Sequence, residues 1–140
     1  MEIDKALDAA RGQRNGVLVT QRANGRPQLS NIAYVVGDDG VVRISITADR
    51  AKSKNLARTP QASLYVGRKD FGAYLVIDAD AELTPVAAAP DDEVADELVE
   101  YYRGVAGEHD DWDAYRQAMV ADQRRVVRLR PTHAYGMWVD

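Results

Sequence analysis

The chain contains no cysteine, which excludes disulfides, thiolate nucleophiles and Cys-ligated metals and leaves the redox compartment open. Histidine is nearly as scarce. His109 and His133 have no partner histidine nearby in the sequence, so no metal site is indicated. No apolar run approaches the ~18 residues that would cross a bilayer. The opening residues Met1 to Asp8 carry acids where a secretory signal would have its apolar centre, so the expected location is the cytoplasm, with no membrane partner. Basic charge is also in deficit: 18 Lys and Arg against 22 Asp and Glu leave a net charge of −4. A general nucleic-acid binder needs the opposite balance to displace counterions, so no nucleic-acid partner is expected, whereas a local cationic patch for a small anion remains compatible. Three motifs are missing as well: G-x-x-x-x-G-K-[ST], G-x-G-x-x-G after a first strand, and G-x-S-x-G.

What is present suits one globular domain over 1–140, with 46% apolar and 29% charged residues. Ile3, Ala6, Leu7 and Ala10 recur at helical spacing. Gly16 to Thr20 reads as a strand, and Asn24-Gly25 is the strongest two-residue hairpin signal. The returning strand is expected to run unbroken from Pro27 to Val36. Leu29, Asn31, Ala33 and Val35 lie on one of its faces; Gln28, Ser30, Ile32, Tyr34 and Val36 lie on the other. Polar Gln28, Ser30 and Asn31 read either as ordinary strand-end polarity or as buried groups that need backbone or ligand partners. A turn at Gly37 to Gly40 leads to a strand over Val41 to Thr47, with Val42, Ile44 and Ile46 on one side. Arg43, Ser45 and Thr47 face either solvent or the wall of a polar groove. Ala62 to Val66 and Leu75 to Leu83 form two more strands. The latter alternates Leu75, Ile77, Ala79, Ala81 and Leu83 against Val76, Asp78, Asp80 and Glu82, the acids reading as a solvated strand edge.

Asp91 to Glu93 supplies acids for a helix start, and Asp110 or Asp111 starts a second helix bearing Trp112, Tyr115 and Met119 on one face. The aromatic stripes read as packing against the sheet, and His109 as a loop or capping residue. Arg125 to Arg130 and Thr132 to Val139 are expected as two strands around Pro131. Tight turns between most strands imply antiparallel pairing, and about seven strands with few safe edges favour closure into a barrel. The fold class is α+β, mainly β.

The stretch from Thr47 to Pro60 concentrates the chemistry. A strand meets Asp49, a good helix cap, and a helix follows that Pro60 stops. Arg50, Lys52, Lys54 and Arg58 then fall at or after a strand-to-helix junction, where free N–H groups and the helix dipole favour an anion. Arg50, Lys54 and Arg58 share one helix face, and Lys52 and Asn55 another. Such spacing is compatible with a solvated cationic face or with a phosphate site.

Three segments carry a resemblance: Gly25 to Asn31 (G-R-P-Q-L-S-N), Arg50 to Leu56 (R-A-K-S-K-N-L) and Gly107 to Val120 (G-E-H-D-D-W-D-A-Y-R-Q-A-M-V). They resemble the pyridoxamine 5'-phosphate oxidase-like split β-barrel family. More closely, they are similar to its small actinobacterial branch, the coenzyme F-420-dependent deazaflavin reductases of flavin/deazaflavin oxidoreductase group B. The resemblance implies an FMN-binding-like antiparallel split barrel with peripheral helices, working as a homodimer with cofactor grooves at the subunit interface. It also implies that Arg50, Ala51 and Lys52, with Ser45 alongside, hold the cofactor phosphate. Gln28 and Asn31 would approach the cofactor, and Tyr74 would come from the partner subunit. The implied chemistry is hydride transfer from reduced deazaflavin to a small electron-poor substrate. Tyr74 and His133 are candidate proton donors beside solvent, and Lys54 or Arg58 could meet the carboxylates of an F-420 tail. Two further readings share the phosphate site: an FMN-binding oxidase or reductase, and a non-catalytic cofactor-binding protein. Close relatives carry tryptophan where this chain has Gly72, which bears on the substrate side of the site.

Overall fold

The alternation at Leu75 to Leu83 organises the molecule. In the computed structural model, which describes residues 1–139, Leu75 and Ile77 are fully buried inside a seven-stranded, wholly antiparallel sheet. Helix α1 (Ile3–Arg11) precedes strands β1 (Asn15–Gln21), β2 (Pro27–Ala33), β3 (Val35–Val36) and β4 (Val42–Thr47). Helix α2 (Ala51–Arg58) leads to β5 (Gln61–Gly67) and β6 (Tyr74–Leu83). Helices α3 (Glu93–Ala106) and α4 (Trp112–Ala121) come before the last strand, β7 (Arg124–Met137). None of these helices is long and apolar enough to cross a membrane.

The strand order is β2-β1-β5-β6-β7-β4-β3. Its two end strands, β2 and β3, are consecutive in the chain, separated only by Tyr34. A sheet whose opposite edges are one residue apart must curl onto itself, which makes it a split barrel. The expected single strand from Pro27 to Val36 is therefore broken at Tyr34, where the chain leaves one edge and joins the other. Tyr34 is buried, and its hydroxyl donates to the Ala10 carbonyl at 2.7 Å, pinning the split to α1. Burial pushes that phenol's pKa upward. Ala6, Leu7 and Ala10 of α1 join the barrel core with Leu18, Ile44, Ile46, Leu56, Leu64 and Leu129.

The chain end departs from expectation in the opposite sense. The two strands expected around Pro131 are one strand with a bulge: Asp78 pairs with His133 and Ala79 with Pro131, so Thr132 is the extra residue. A bulge is where a strand tolerates proline, because the missing N–H costs no ladder bond. The Asn24-Gly25 turn is likewise longer than two residues. Gly25 N–H bonds to the Arg22 carbonyl, Arg22 N–H bonds to the Arg26 carbonyl, and Gly25 takes φ +84, a type I turn closed by a left-handed glycine.

Helices α3 and α4 form a second core of Val94, Leu98, Val99, Tyr115 and Met119 over Val126 of β7. Asp92 and Asp111 cap them, accepting from Ala95 and Ala114 N–H. Their aromatic residues pack largely on one another, Tyr102 with His109, Trp112 and Tyr115 at 5.0–5.7 Å between centroids. His109 acts in the inter-helix turn as expected, its Nδ1 accepting from Asp111 N–H.

Glu97 ties α3 to the sheet. It accepts from Arg43 Nε at 3.0 Å and from Arg128 Nε at 2.9 Å, and its side chain is only 15% exposed. The Arg128 guanidinium foremost, then Arg43, holds its carboxyl below the usual glutamate range against the opposing effect of burial. A carboxyl depressed in the folded state stabilises the fold above its unfolded pKa, and that contribution is lost as pH falls through the folded value. Urea midpoints should therefore fall as pH drops below ~4.3, the ordinary glutamate pKa, and Glu97→Gln should flatten that slope. Asp39, which Arg43 holds at about 2, remains charged over most of this window. An unchanged slope in Glu97→Gln would show that the pair contributes nothing to acid stability.

Candidate functional site

The cations cluster, but at a junction slightly different from the expected one. Asp49 does not cap α2. Arg50 occupies the N-cap with extended backbone, no side chain caps the helix, and its first turn holds no acid. An uncapped, acid-free helix start leaves N–H donors available to an anion. Lys52 is half-buried while Lys54 is exposed, so the two lie on different sides as the spacing implies. Burial, then the neighbouring charges of Arg50 and Arg124, pull the Lys52 pKa down. Among the described residues, none of these three cations is paired with a carboxylate. Packing like charges together is unfavourable unless something negative completes the set.

Ser45 and Thr47 border this cluster from β4. Ser45 pairs with Val126 and Thr47 with Arg124 in the β4–β7 ladder, so Ser45, Thr47 and Arg124 project from the same sheet face. Arg124 Nη1 reaches Ser45 Oγ at 3.5 Å, the limit of a hydrogen bond. The structure thus brings Ser45, Arg50, Ala51 and Lys52 into one neighbourhood and adds Thr47 and Arg124. Sequence reasoning gave Arg124 no role and left Thr47 facing either solvent or the wall of a polar groove. Only the β4–β7 register, set some eighty residues apart in the chain, shows that Arg124 stands beside the helix start.

Gln28, Asn31 and Tyr74 lie elsewhere in the same chain. Gln28 pairs with Thr20, whose Oγ1 accepts from Asn55 Nδ2 of α2 at 3.1 Å, so Gln28 stands beside the bond anchoring α2 to β1. Arg58 is committed to that anchor too, donating to the Gln21 carbonyl at 2.9 Å and to Asn55 Oδ1. Among the two cations considered for a ligand tail, Lys54 is the one these bonds leave unengaged. Asn31 is exposed, so of the two readings it fits ordinary strand polarity and not a buried amide seeking a partner: β2 is an end strand and solvent reaches it.

Asn31 and Tyr74 share the bare outer face of the sheet. Ladder registers place Leu29, Val19, Ser63, Asp78 and His133 in one row across that face. Asn31, Val17, Tyr65, Val76 and Tyr135 form the next. Tyr74 follows between Gly67 and Met137, stacked on Tyr65 with centroids 5.9 Å apart. Asp78, Asp80 and Glu82 belong to this face of β6, which is an interior strand and not the edge expected for them. Ser63 Oγ donates to Asp78 at 2.6 Å, and Arg128 donates to Glu82 at 2.8 Å. Two shallow clefts of about 410 and 580 Å³ open on this side, one lined by Ser63, Asp78 and Thr132, the other by Val17, Asn31, Tyr65 and Phe71.

A family profile described as pyridoxamine 5'-phosphate oxidase matches residues 3–138, almost the whole chain. The chain belongs to the pyridoxamine 5'-phosphate oxidase family. Solved structures of the same fold include a conserved hypothetical protein from Mycobacterium tuberculosis, 21% identical over 98% of this chain and 84% of that one, at a TM-score of 0.77. An F-420 reductase is 23% identical over 87% and 89% of the two chains, at 0.66. A heme storage protein from Vibrio cholerae is 20% identical over 98% and 96%, at 0.70. Identities this low establish the pyridoxamine 5'-phosphate oxidase-like split barrel and leave the ligand to the site itself.

The residues present fit the phosphate of a flavin-type cofactor. The uncapped start of α2 offers N–H donors, Lys52, Arg50 and Arg124 offer unpaired charge, and Ser45 offers a hydroxyl.

Proposed function

We propose that this protein is a coenzyme F-420-binding oxidoreductase working on a small electron-poor organic substrate. The observation that carries the reading is the unpaired cation cluster at the start of α2, with Lys52 half-buried between Arg50 and Arg124. When bound, the deazaflavin supplies hydride chemistry that the side chains do not have. The chain's own part is to neutralise the phosphate with Arg50, Lys52 and Ser45, to present Gln28 and Asn31 to the cofactor, and to exclude water around the substrate. Lys54, exposed and beyond the helix start, suits the carboxylates of a longer tail.

The working unit in this reading is a homodimer. The outer face of β2, β1, β5, β6 and β7 carries Leu29 at 59% exposure together with Tyr74, Tyr135 and Met137, more apolar surface than an isolated strand face should offer to water. A second copy laid on that face would cover it and bring its own Tyr74 towards the groove.

Side-by-side fluorescence titration with F-420 and FMN tests the cofactor. F-420 should bind more tightly, because its tail carboxylates have Lys54 to meet. Equal or tighter FMN binding would replace the deazaflavin reading with an FMN-dependent one, and binding without turnover of any acceptor would mark a cofactor carrier.

A further inference from the structure

Among the described residues, two buried side-chain polar atoms have no hydrogen-bond partner: Thr47 Oγ1 and Arg124 Nε. They are not scattered. Thr47 and Arg124 are direct register partners at the end of the β4–β7 ladder, beside Lys52. Leaving such donors unpaired is costly, so their coincidence needs a physical reason.

Three surroundings bear on that reason. The charge of Arg124 lowers the Lys52 pKa, so the two cations sense one another directly. Arg124 also acts on the phenols of Tyr101 and Tyr115, opposing the burial that raises both and leaves Tyr115 at about 12. Tyr101 is already engaged, its hydroxyl donating to the Ala33 carbonyl at 2.8 Å, and Tyr115 donates to the Leu98 carbonyl at 2.9 Å. Burial keeps both phenols neutral, so neither supplies Arg124 with a negative charge. The remaining tie is the 3.5 Å contact with Ser45, too long to hold a guanidinium firmly.

We propose that Arg124 is a third ligand-binding cation of the α2 site, with the Thr47 hydroxyl as its companion donor, and that together they take an oxygen of a phosphate group. The inference rests on the phosphate-site reading above and extends it to the far strand. An arriving phosphate draws the loosely held guanidinium off Ser45 towards Lys52, and Nε–H and the Thr47 hydroxyl gain the acceptor they lack. Arginine suits this role because its fork can grip two phosphate oxygens at once.

The test combines ligand-free stability with binding. Wild type, Arg124→Gln, Arg124→Lys, Thr47→Val and Lys52→Ala are titrated with inorganic pyrophosphate by calorimetry, and with F-420 and FMN by fluorescence. Arg124→Gln should weaken pyrophosphate and the preferred cofactor about ten-fold or more, the loss of a charge-assisted bond, and Arg124→Lys should recover part. Thr47→Val should bind several-fold more weakly yet melt at or above the wild-type temperature without ligand, because the substitution removes an unpaired hydroxyl. A purely structural threonine would lower that melting temperature. Wild-type pyrophosphate affinity in both Arg124→Gln and Thr47→Val overturns the inference, as does cofactor binding lost in Lys52→Ala but intact in Arg124→Gln. If pyrophosphate responds to Arg124 while wild type binds neither F-420 nor FMN, the cofactor reading falls and the anion site stands. Should Arg124→Gln not fold, Arg124→Lys and Thr47→Val decide on the same readouts.

Discussion

Lys52→Ala should bind the cofactor about ten- to hundred-fold more weakly than wild type, with little change in folding, as expected when a charge-assisted hydrogen bond worth roughly 1.5–3 kcal/mol is lost. The structure makes the stability half of this expectation specific. Among the described residues Lys52 makes no ion pair, and its charge is disfavoured where it sits, first by burial and then by Arg50 and Arg124. Removing it relieves repulsion and leaves no carboxylate stranded, so the ligand-free protein should melt within a degree or two of wild type, as about a few tenths of a kcal/mol implies. The same reasoning links affinity to proton uptake: an anion raises the depressed Lys52 pKa, so binding should weaken at alkaline pH as the free lysine loses its proton. Lys52→Arg should recover part of the affinity, since a planar fork replaces a compact ammonium poorly in a tight site. Lys54→Ala is the control, costing less and depending more on salt because that side chain is exposed. Wild-type affinity in Lys52→Ala by fluorescence quenching would remove the phosphate site from under the proposed function.

Leu29→Asp and Tyr135→Asp should each convert a dimer into a folded monomer at micromolar concentration, measured by light scattering beside circular dichroism. Both side chains are exposed in the single chain, at 59% and 46%, so a carboxylate there is harmless to the monomer. Pressed against a second copy it is buried without a partner, a penalty of roughly several kcal/mol, and two-fold symmetry imposes it twice. The monomers should also bind cofactor more weakly, because Tyr74 of the second copy no longer reaches the groove. A wild-type protein already monomeric under these conditions would count against the interface, as would an unchanged dimer in both variants.

The legible parts of the fold share one property: each was encoded locally. The buried face of β6 follows from strict alternation, β4 from its β-branched run, and the starts of α3 and α4 from Asp92 and Asp111 just ahead of apolar stripes. The parts misread share the opposite property. Nothing local marks Tyr34 as the point where one strand becomes two, because the break exists only when two sheet edges meet there. Nothing local shows that β7 carries Pro131 through a bulge, since that depends on β6 pairing across it. Asp49 looked like a cap because capping preference is a statistical property of residue type, whereas the turn through Ala48, tied to Gln123, carries the chain one residue further before the helix begins.

The site divides in the same way. By itself the sequence determined that cations crowd a strand-to-helix junction, that no cysteine, nucleotide loop or nucleophile elbow competes with them, and which family the motifs resemble. Only the tertiary structure decided which cations are available. It committed Arg58 to β1, left Lys54 in solvent, and brought Arg124 from a distant strand to Thr47, where among the described residues Arg124 Nε and Thr47 Oγ1 stand without partners beside Lys52. The reason is physical: a residue's type fixes its charge, but its partners are fixed by strand register, and register is settled by the packing of the whole barrel.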